Sequence, residues 1–192
     1  AFSFYPTKNL GALGDAGAIC TNDDSLAVDL RSLRQYGWKQ KYQSDVLGFN
    51  SRMDEIQAYF LLSELKKLEI YNSRRKAIWK QYRNSLEKYY RQDVLLGKDD
   101  STFVAHLGVL RLSERGAFAS FLSQKGIGFD IHYPVPDYKH SAFFRTGNFQ
   151  LSNTEYLCKS VVSIPLFESL SQAEVELVCS SLEEACQKGL IT

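Results

Sequence analysis

Apolar and polar positions divide this chain into segments of different period. Phe2-Ser3-Phe4-Tyr5 and Ala18-Ile19-Cys20 are short apolar runs. They flank Pro6-Thr7-Lys8-Asn9 and a loop with glycines at 11, 14 and 17, which predicts two short strands joined through a turn. Leu26, Val28, Leu30 and Leu33 predict a helix over about 25–36, opened by the Thr21–Asp24 cluster and stopped by Gly37. Residues 38–48 show no period and predict a loop. Ser51 with Asp54 three residues on reads as a capping box for a helix whose face carries Met53, Ile56, Phe60, Leu61 and Leu65. A second helix is predicted over about 70–90, with Tyr71, Ile78, Tyr82, Leu86 and Tyr89 as a stripe for the core.

After a turn at 97–101 the pattern changes. Residues 103–112 alternate well enough for a strand, with His106 a hydrogen-bonded sheet residue. Ser113 caps a helix ending near Gly126, and residues 127–133 form a further strand running into Pro134-Val135-Pro136. Ser152 with Glu155 and Ser171 with Glu174 predict two more capping boxes, and Val161–Pro165 between them an edge strand. The alternation of strand and helix predicts an α/β fold.

Composition narrows the classes. With 44% hydrophobic and 13% aromatic residues, 192 residues can bury a core. Twenty-three basic residues against 22 acidic leave no basic face for nucleic acid and no polybasic membrane patch. Arg74-Arg75-Lys76 is expected on a solvated helix face. Four scattered cysteines and three distant histidines suggest reduced thiols and no metal site. No apolar run reaches membrane-spanning length and no leader precedes the first strand, so the expected location is cytoplasmic.

Three places carry candidate chemistry. Lys8 either faces water or sits where desolvation favours the reactive neutral amine. Asn50 is either a turn residue or an amide presented at a helix N-terminus, where backbone N–H groups favour phosphate. His132 and Tyr133, fixed by the following prolines, form either a rigid surface loop or a pair at a site mouth.

The run Ser3-Phe4-Tyr5-Pro6-Thr7-Lys8-Asn9-Leu10-Gly11-Ala12-Leu13-Gly14-Asp15, followed by Gly17-Ala18, closely resembles the covalent-lysine segment of the DegT/StrS family of nucleotide-sugar aminotransferases. These are pyridoxal-5′-phosphate (PLP) enzymes of fold-type I. Ala16 departs from it, standing where a glycine is usual. Gly48-Phe49-Asn50-Ser51-Arg52-Met53-Asp54-Glu55-Ile56-Gln57-Ala58 and Ile131-His132-Tyr133-Pro134-Val135-Pro136 continue the resemblance in family order over essentially the whole chain.

The resemblance implies that residues 1–66 are the tail of a large PLP-binding domain and 67–192 a small C-terminal α/β domain. It implies that Lys8 tethers PLP and moves the proton in transamination, and that Ser3 bonds the cofactor phosphate. Asn50 would reach the phosphate across a homodimer built through residues 38–50. Tyr5 and His132 would line the pocket for a nucleotide-linked keto sugar, with glutamate as amino donor. Tyr5, where family members acting at C4 tend to carry histidine, points to amination at C3 of a dTDP-linked 3-keto-6-deoxyhexose. The acidic partner of the pyridine nitrogen and the aromatic that stacks on the ring have no counterpart here, and the resemblance places both in a segment upstream of Ala1. Two other readings stand beside this one: a truncated or split non-catalytic piece, and a regulator on the same fold.

Overall fold

Strands β1 (Phe2–Ser3) and β2 (Gly17–Ala18) pair antiparallel, with Phe2 opposite Ala18 and Ser3 opposite Gly17. The structure, a computed structural model, describes residues 1–142 and 150–191. Helix α1 (Asp24–Leu33) follows, and the Asp23 carboxylate caps it by accepting from the Ser25 and Leu26 N–H groups. These bonds, led by the one from the Ser25 hydroxyl, hold the Asp23 carboxyl below its ordinary range.

The segment expected to be a loop contains a small hairpin instead, β3 (Trp38–Gln40) with β4 (Gln43–Ser44). Aromatic contacts support it: Trp38 lies 5.2 Å from Tyr36 and 5.3 Å from Tyr42 between ring centroids. Gly37 takes a φ of 71° there, and a Cβ would lie 1.9 Å from the Val46 carbonyl oxygen. Helix α2 (Glu55–Leu65) begins later than the Ser51–Asp54 pattern predicts. Asp54 is its N-cap and makes no side-chain capping bond, and the Ser51 N–H that the predicted box would use donates to the Arg34 carbonyl instead.

Two compact units divide the chain, Ala1–Glu69 and Ile70–Thr192, where sequence placed the division after residue 66. Helix α3 (Leu68–Glu87) runs over that division. The two units differ in kind. In the first, Ala12, Gly37 and Leu61 are the buried positions, and Phe2, Leu13, Leu47, Phe49, Ile56, Tyr59 and Leu62 are exposed. In the second, a continuous core gathers Ile78, Trp79, Tyr82 and Leu86 of α3 with Leu110, Phe118, Leu122, Val162, Val175 and Leu182.

The sheet of the second unit pairs β5 (Gly108–Arg111) with β6 (Val161–Ile164) antiparallel, Val109 opposite Ser163. Leu95 bridges to Leu110 on the outer side of β5, and Asp130 bridges to Ser163 on the outer side of β6. Strand β6 is therefore an interior strand, buried at all four residues, and not the expected edge. Of the predicted strand at 127–133, the Asp130 bridge alone forms. The predicted strand at 103–112 shortens to β5: Ala105 takes a φ of 47°, which breaks the ladder and leaves His106 outside it. Helix α4 (Arg115–Gln124) packs on β6 and on α6 (Gln172–Gln187).

The two predicted capping boxes diverge. At α6 the box forms reciprocally between Ser171 and Glu174. At α5 (Ser152–Ser160) it does not, because Glu155 accepts from the Tyr138 hydroxyl at 2.9 Å and pairs with Lys139 at 3.0 Å.

The basic cluster on α3 is not wholly a solvated face: Arg74 is exposed and Lys76 half-buried, but Arg75 is buried. Arg75, 4% exposed, donates to the Glu168 carboxylate at 2.8 and 2.9 Å and to the Leu166 and His106 carbonyls at 2.9 and 3.2 Å. Arg74 donates to the carbonyls of Glu168 and Leu170, both at 2.9 Å. Together they pin the segment after β6 to α3. Tyr82 adds a bond from its hydroxyl to the Pro165 carbonyl, and burial pushes its phenol pKa far up. Replacing Arg75 by Met leaves a carboxylate and two carbonyls without their donor. Urea unfolding is expected to show a loss of about 3 kcal/mol, with Arg74→Met costing less. An Arg75→Met loss too small to resolve contradicts this role.

Candidate functional site around the Lys8 turn

Backbone geometry fixes the turn that carries Lys8. Its N–H donates to the Tyr5 carbonyl at 2.8 Å, closing residues 5–8. Phe4 extends the strand pair by donating to the Ala16 carbonyl at 2.8 Å, and the Ala12 N–H returns to the Phe4 carbonyl at 2.7 Å. The chain can fold back this closely because residue 11 is glycine: a Cβ there would lie 2.4 Å from the Pro6 carbonyl oxygen. The glycine loop is anchored from α2, where the Gln57 side-chain oxygen accepts the Leu13 N–H at 2.8 Å. Gln57 was not singled out by sequence, although it lies inside the Asp54–Ala58 motif.

Ser3, Tyr5 and Lys8 therefore share one short stretch. The Ser3 Oγ accepts the Tyr5 N–H at 3.3 Å, which leaves its own proton to donate outward. Lys8 is half-buried, and among the described residues nothing pairs with its amine.

Asn50 belongs to the same unit but not to the start of a helix. Its backbone bridges to Gln35, while Phe49 and Ser51 donate to the Leu33 and Arg34 carbonyls at 2.7 and 2.9 Å. This braid ties Asn50 to the end of α1 and leaves its side chain exposed. The expected presentation of Asn50 at a helix N-terminus is thus corrected, since α2 starts at Glu55.

His132 lies in the second unit. Its Nδ1 is 2.9 Å from the Ser163 Oγ, its Nε2 is 3.5 Å from an Asp130 carboxylate oxygen, and its ring meets Tyr133 edge-on at 5.4 Å. The next residue, Tyr133, lines a pocket of about 250 Å³ with Pro134, Val135, Asp137 and His140. Nearby, the Lys139 ammonium and then the Tyr138 hydroxyl lower the Glu155 carboxyl pKa, while desolvation raises that of the Tyr138 phenol. Neither Asp130 nor Ser163 was marked by the sequence, where Ser163 is one polar position inside an apolar run.

A free amine on the turn and an exposed hydroxyl on the strand just before it suit a cofactor that carries an aldehyde and a phosphate. Comparison with known proteins agrees. The model of the DegT/DnrJ/EryC1/StrS aminotransferase family matches residues 1–183. The chain belongs to that family. Its aminotransferases are PLP-dependent and of fold-type I.

The chain is 41% identical over 197 residues to a dTDP-3-amino-3,6-dideoxy-α-D-galactopyranose transaminase of Aneurinibacillus thermoaerophilus, covering 94% of this chain and 54% of that protein. It is 36% identical over 183 residues to a UDP-N-acetyl-3-dehydro-α-D-glucosamine 3-aminotransferase of Acidithiobacillus ferrooxidans, covering 93% and 48%. The structure of DesV from S. venezuelae superposes with a TM-score of 0.86 at 35% identity, over 97% of this chain and 51% of DesV. The chain thus spans about half the length of the relatives it matches.

The tight return at residue 11 makes a direct test. Gly11→Ala must displace the Pro6 carbonyl and with it the Lys8 turn, so PLP labelling trapped with borohydride should fall steeply. Gly116→Ala, on α4 with open space around it, should leave labelling unchanged and raise stability by about 0.5–1 kcal/mol. Equal labelling in both variants contradicts the constraint.

Proposed function

We propose that this chain supplies the covalent lysine and part of the sugar pocket of a PLP-dependent aminotransferase. Its substrate is a nucleotide-linked, in particular dTDP-linked, 3-keto-6-deoxyhexose, its amino donor glutamate, and its product the corresponding amino sugar. The observation that carries this reading is the closed Tyr5–Lys8 turn, which sets a half-buried, unpaired amine close along the chain to the Ser3 hydroxyl. Residues 1–66 act as the end of a large cofactor domain and 67–192 as the small domain, in a cytoplasmic homodimer.

When bound, PLP supplies the electron sink that makes the donor's Cα–H bond acidic. Lys8 would hold the cofactor and, once released, would take the proton from that Cα and deliver it to the cofactor's carbon, which requires an amine that can be neutral near working pH. Ser3 donates its free proton to the cofactor phosphate, and the exposed Asn50 amide serves the phosphate held by a second copy. Tyr5, in the lysine turn, and His132, which precedes the pocket-lining Tyr133 in the chain, orient the sugar by hydrogen bonds.

Turnover of a dTDP-linked keto sugar with glutamate, measured on the full-length protein, tests this. Lys8→Ala should lower the rate by about a thousandfold. Tyr5→Phe and His132→Ala should each lower kcat/KM by about tenfold, the size of one lost hydrogen bond, while PLP still binds. Undiminished activity in Lys8→Ala overturns the reading, and undiminished activity in the other two removes those residues from the pocket.

A further inference from the structure

Resting on the reading of His132 as a sugar-facing residue, we infer that Ser163 is a positioning residue. It holds the imidazole with its proton on Nε2, so that His132 meets the substrate as a hydrogen-bond donor to an oxygen. Ser163 is 5% exposed and sits in mid-strand on β6. Its backbone is fixed on both sides. Its N–H donates to the Asp130 carbonyl at 2.7 Å, the Asp130 N–H donates back at 3.0 Å, and Val109 stands opposite on β5. The strand therefore cannot shift to relieve a poor side-chain contact.

Among the described residues the hydroxyl has one partner, Nδ1 of His132 at 2.9 Å. A buried hydroxyl whose proton finds no acceptor is costly. Nδ1 is the acceptor within reach, so the hydroxyl donates to it, Nδ1 carries the lone pair, and the neutral ring's proton falls on Nε2.

The second nitrogen points the other way. Its neighbour, the Asp130 carboxylate, is at 3.5 Å, beyond a normal hydrogen bond, and the Asp130 side chain is 77% exposed. The other Asp130 oxygen, Oδ1, accepts the Ile131 N–H at 2.7 Å. Nε2–H is thus aimed outward with only a loose, hydrated partner, which an oxygen of the substrate can displace. A histidine presented this way selects acceptor groups, such as a carbonyl, hydroxyl or phosphate oxygen, over donors such as ammonium.

Nitrogen-resolved NMR of the imidazoles tests the tautomer without reference to activity, with the His132 signals assigned by their loss in His132→Gln. In the unsubstituted protein His132 should carry its proton on Nε2. Ser163→Ala, which keeps the backbone ladder, should convert it to a mixture of tautomers while the melting temperature hardly moves. Ser163→Thr, which keeps the hydroxyl, should restore the single form. In steady-state kinetics of the full-length protein, Ser163→Ala should raise KM for the keto sugar several-fold and leave the amino-donor half-reaction unchanged.

A proton on Nδ1, or a tautomer indifferent to Ser163→Ala, overturns the inference. The expected tautomer with an unchanged sugar KM overturns its substrate part. If Ser163→Ala unfolds the protein, the NMR of the unsubstituted protein still decides. An inactive full-length protein whose His132 keeps the proton on Nε2 contradicts the proposed function and supports the hold of Ser163 on the ring.

Discussion

The close approach of Gly11 to the Pro6 carbonyl is the constraint on which the rest of the first unit depends. It lets the chain reverse over five residues, so that the Ala12 N–H can reach the Phe4 carbonyl and the strand pair can close behind the lysine. Backbone bonds do most of this, helped by the Gln57 side chain and with almost no buried side chains, since Ala12, Gly37 and Leu61 are the buried positions of that unit. The backbone of Lys8, and with it the root of the side chain, is fixed by this turn. That is what covalent catalysis asks of a nucleophilic amine, because misplacement costs more than weak binding.

The second unit achieves rigidity by the opposite route. Trp79 and Tyr82 are fully buried, and Arg75 gathers the Glu168 carboxylate and the Leu166 carbonyl, which follow β6, with the His106 carbonyl, which precedes β5. The pair between Arg75 and Glu168 is better seen as organising those carbonyls than as a source of stability in itself. Its consequence is local: β6 is clamped along both edges and from its end, and Ser163 on that strand becomes a fixed point for His132.

Much of this was legible in the sequence, and the failures have physical causes. The Ser171–Glu174 box reads correctly because, among the described residues, no other partner competes for the Glu174 carboxylate. The same spacing at Ser152–Glu155 misleads, since Lys139 and Tyr138 reach Glu155 through space from sixteen and seventeen residues earlier. Arg75 carries the same local signature as any solvated helix arginine; what buries it is a loop some ninety residues away. Strand β6 reads as an edge because the Asp130 bridge on its far side is a single pair, too short to leave a periodic pattern. The lysine turn was legible through the family motif, whereas its anchor at Gln57 depends on a contact 44 residues apart that no local pattern encodes.

The central claim is that Lys8 is the residue to which PLP attaches. Incubating the protein with PLP, reducing with borohydride and mapping the modified peptides by mass spectrometry tests it directly. The account predicts that the pyridoxyl group lies on Lys8, in the peptide that contains Tyr5 and Gly11. Labelling confined to other lysines, or no labelling at any lysine, would contradict it.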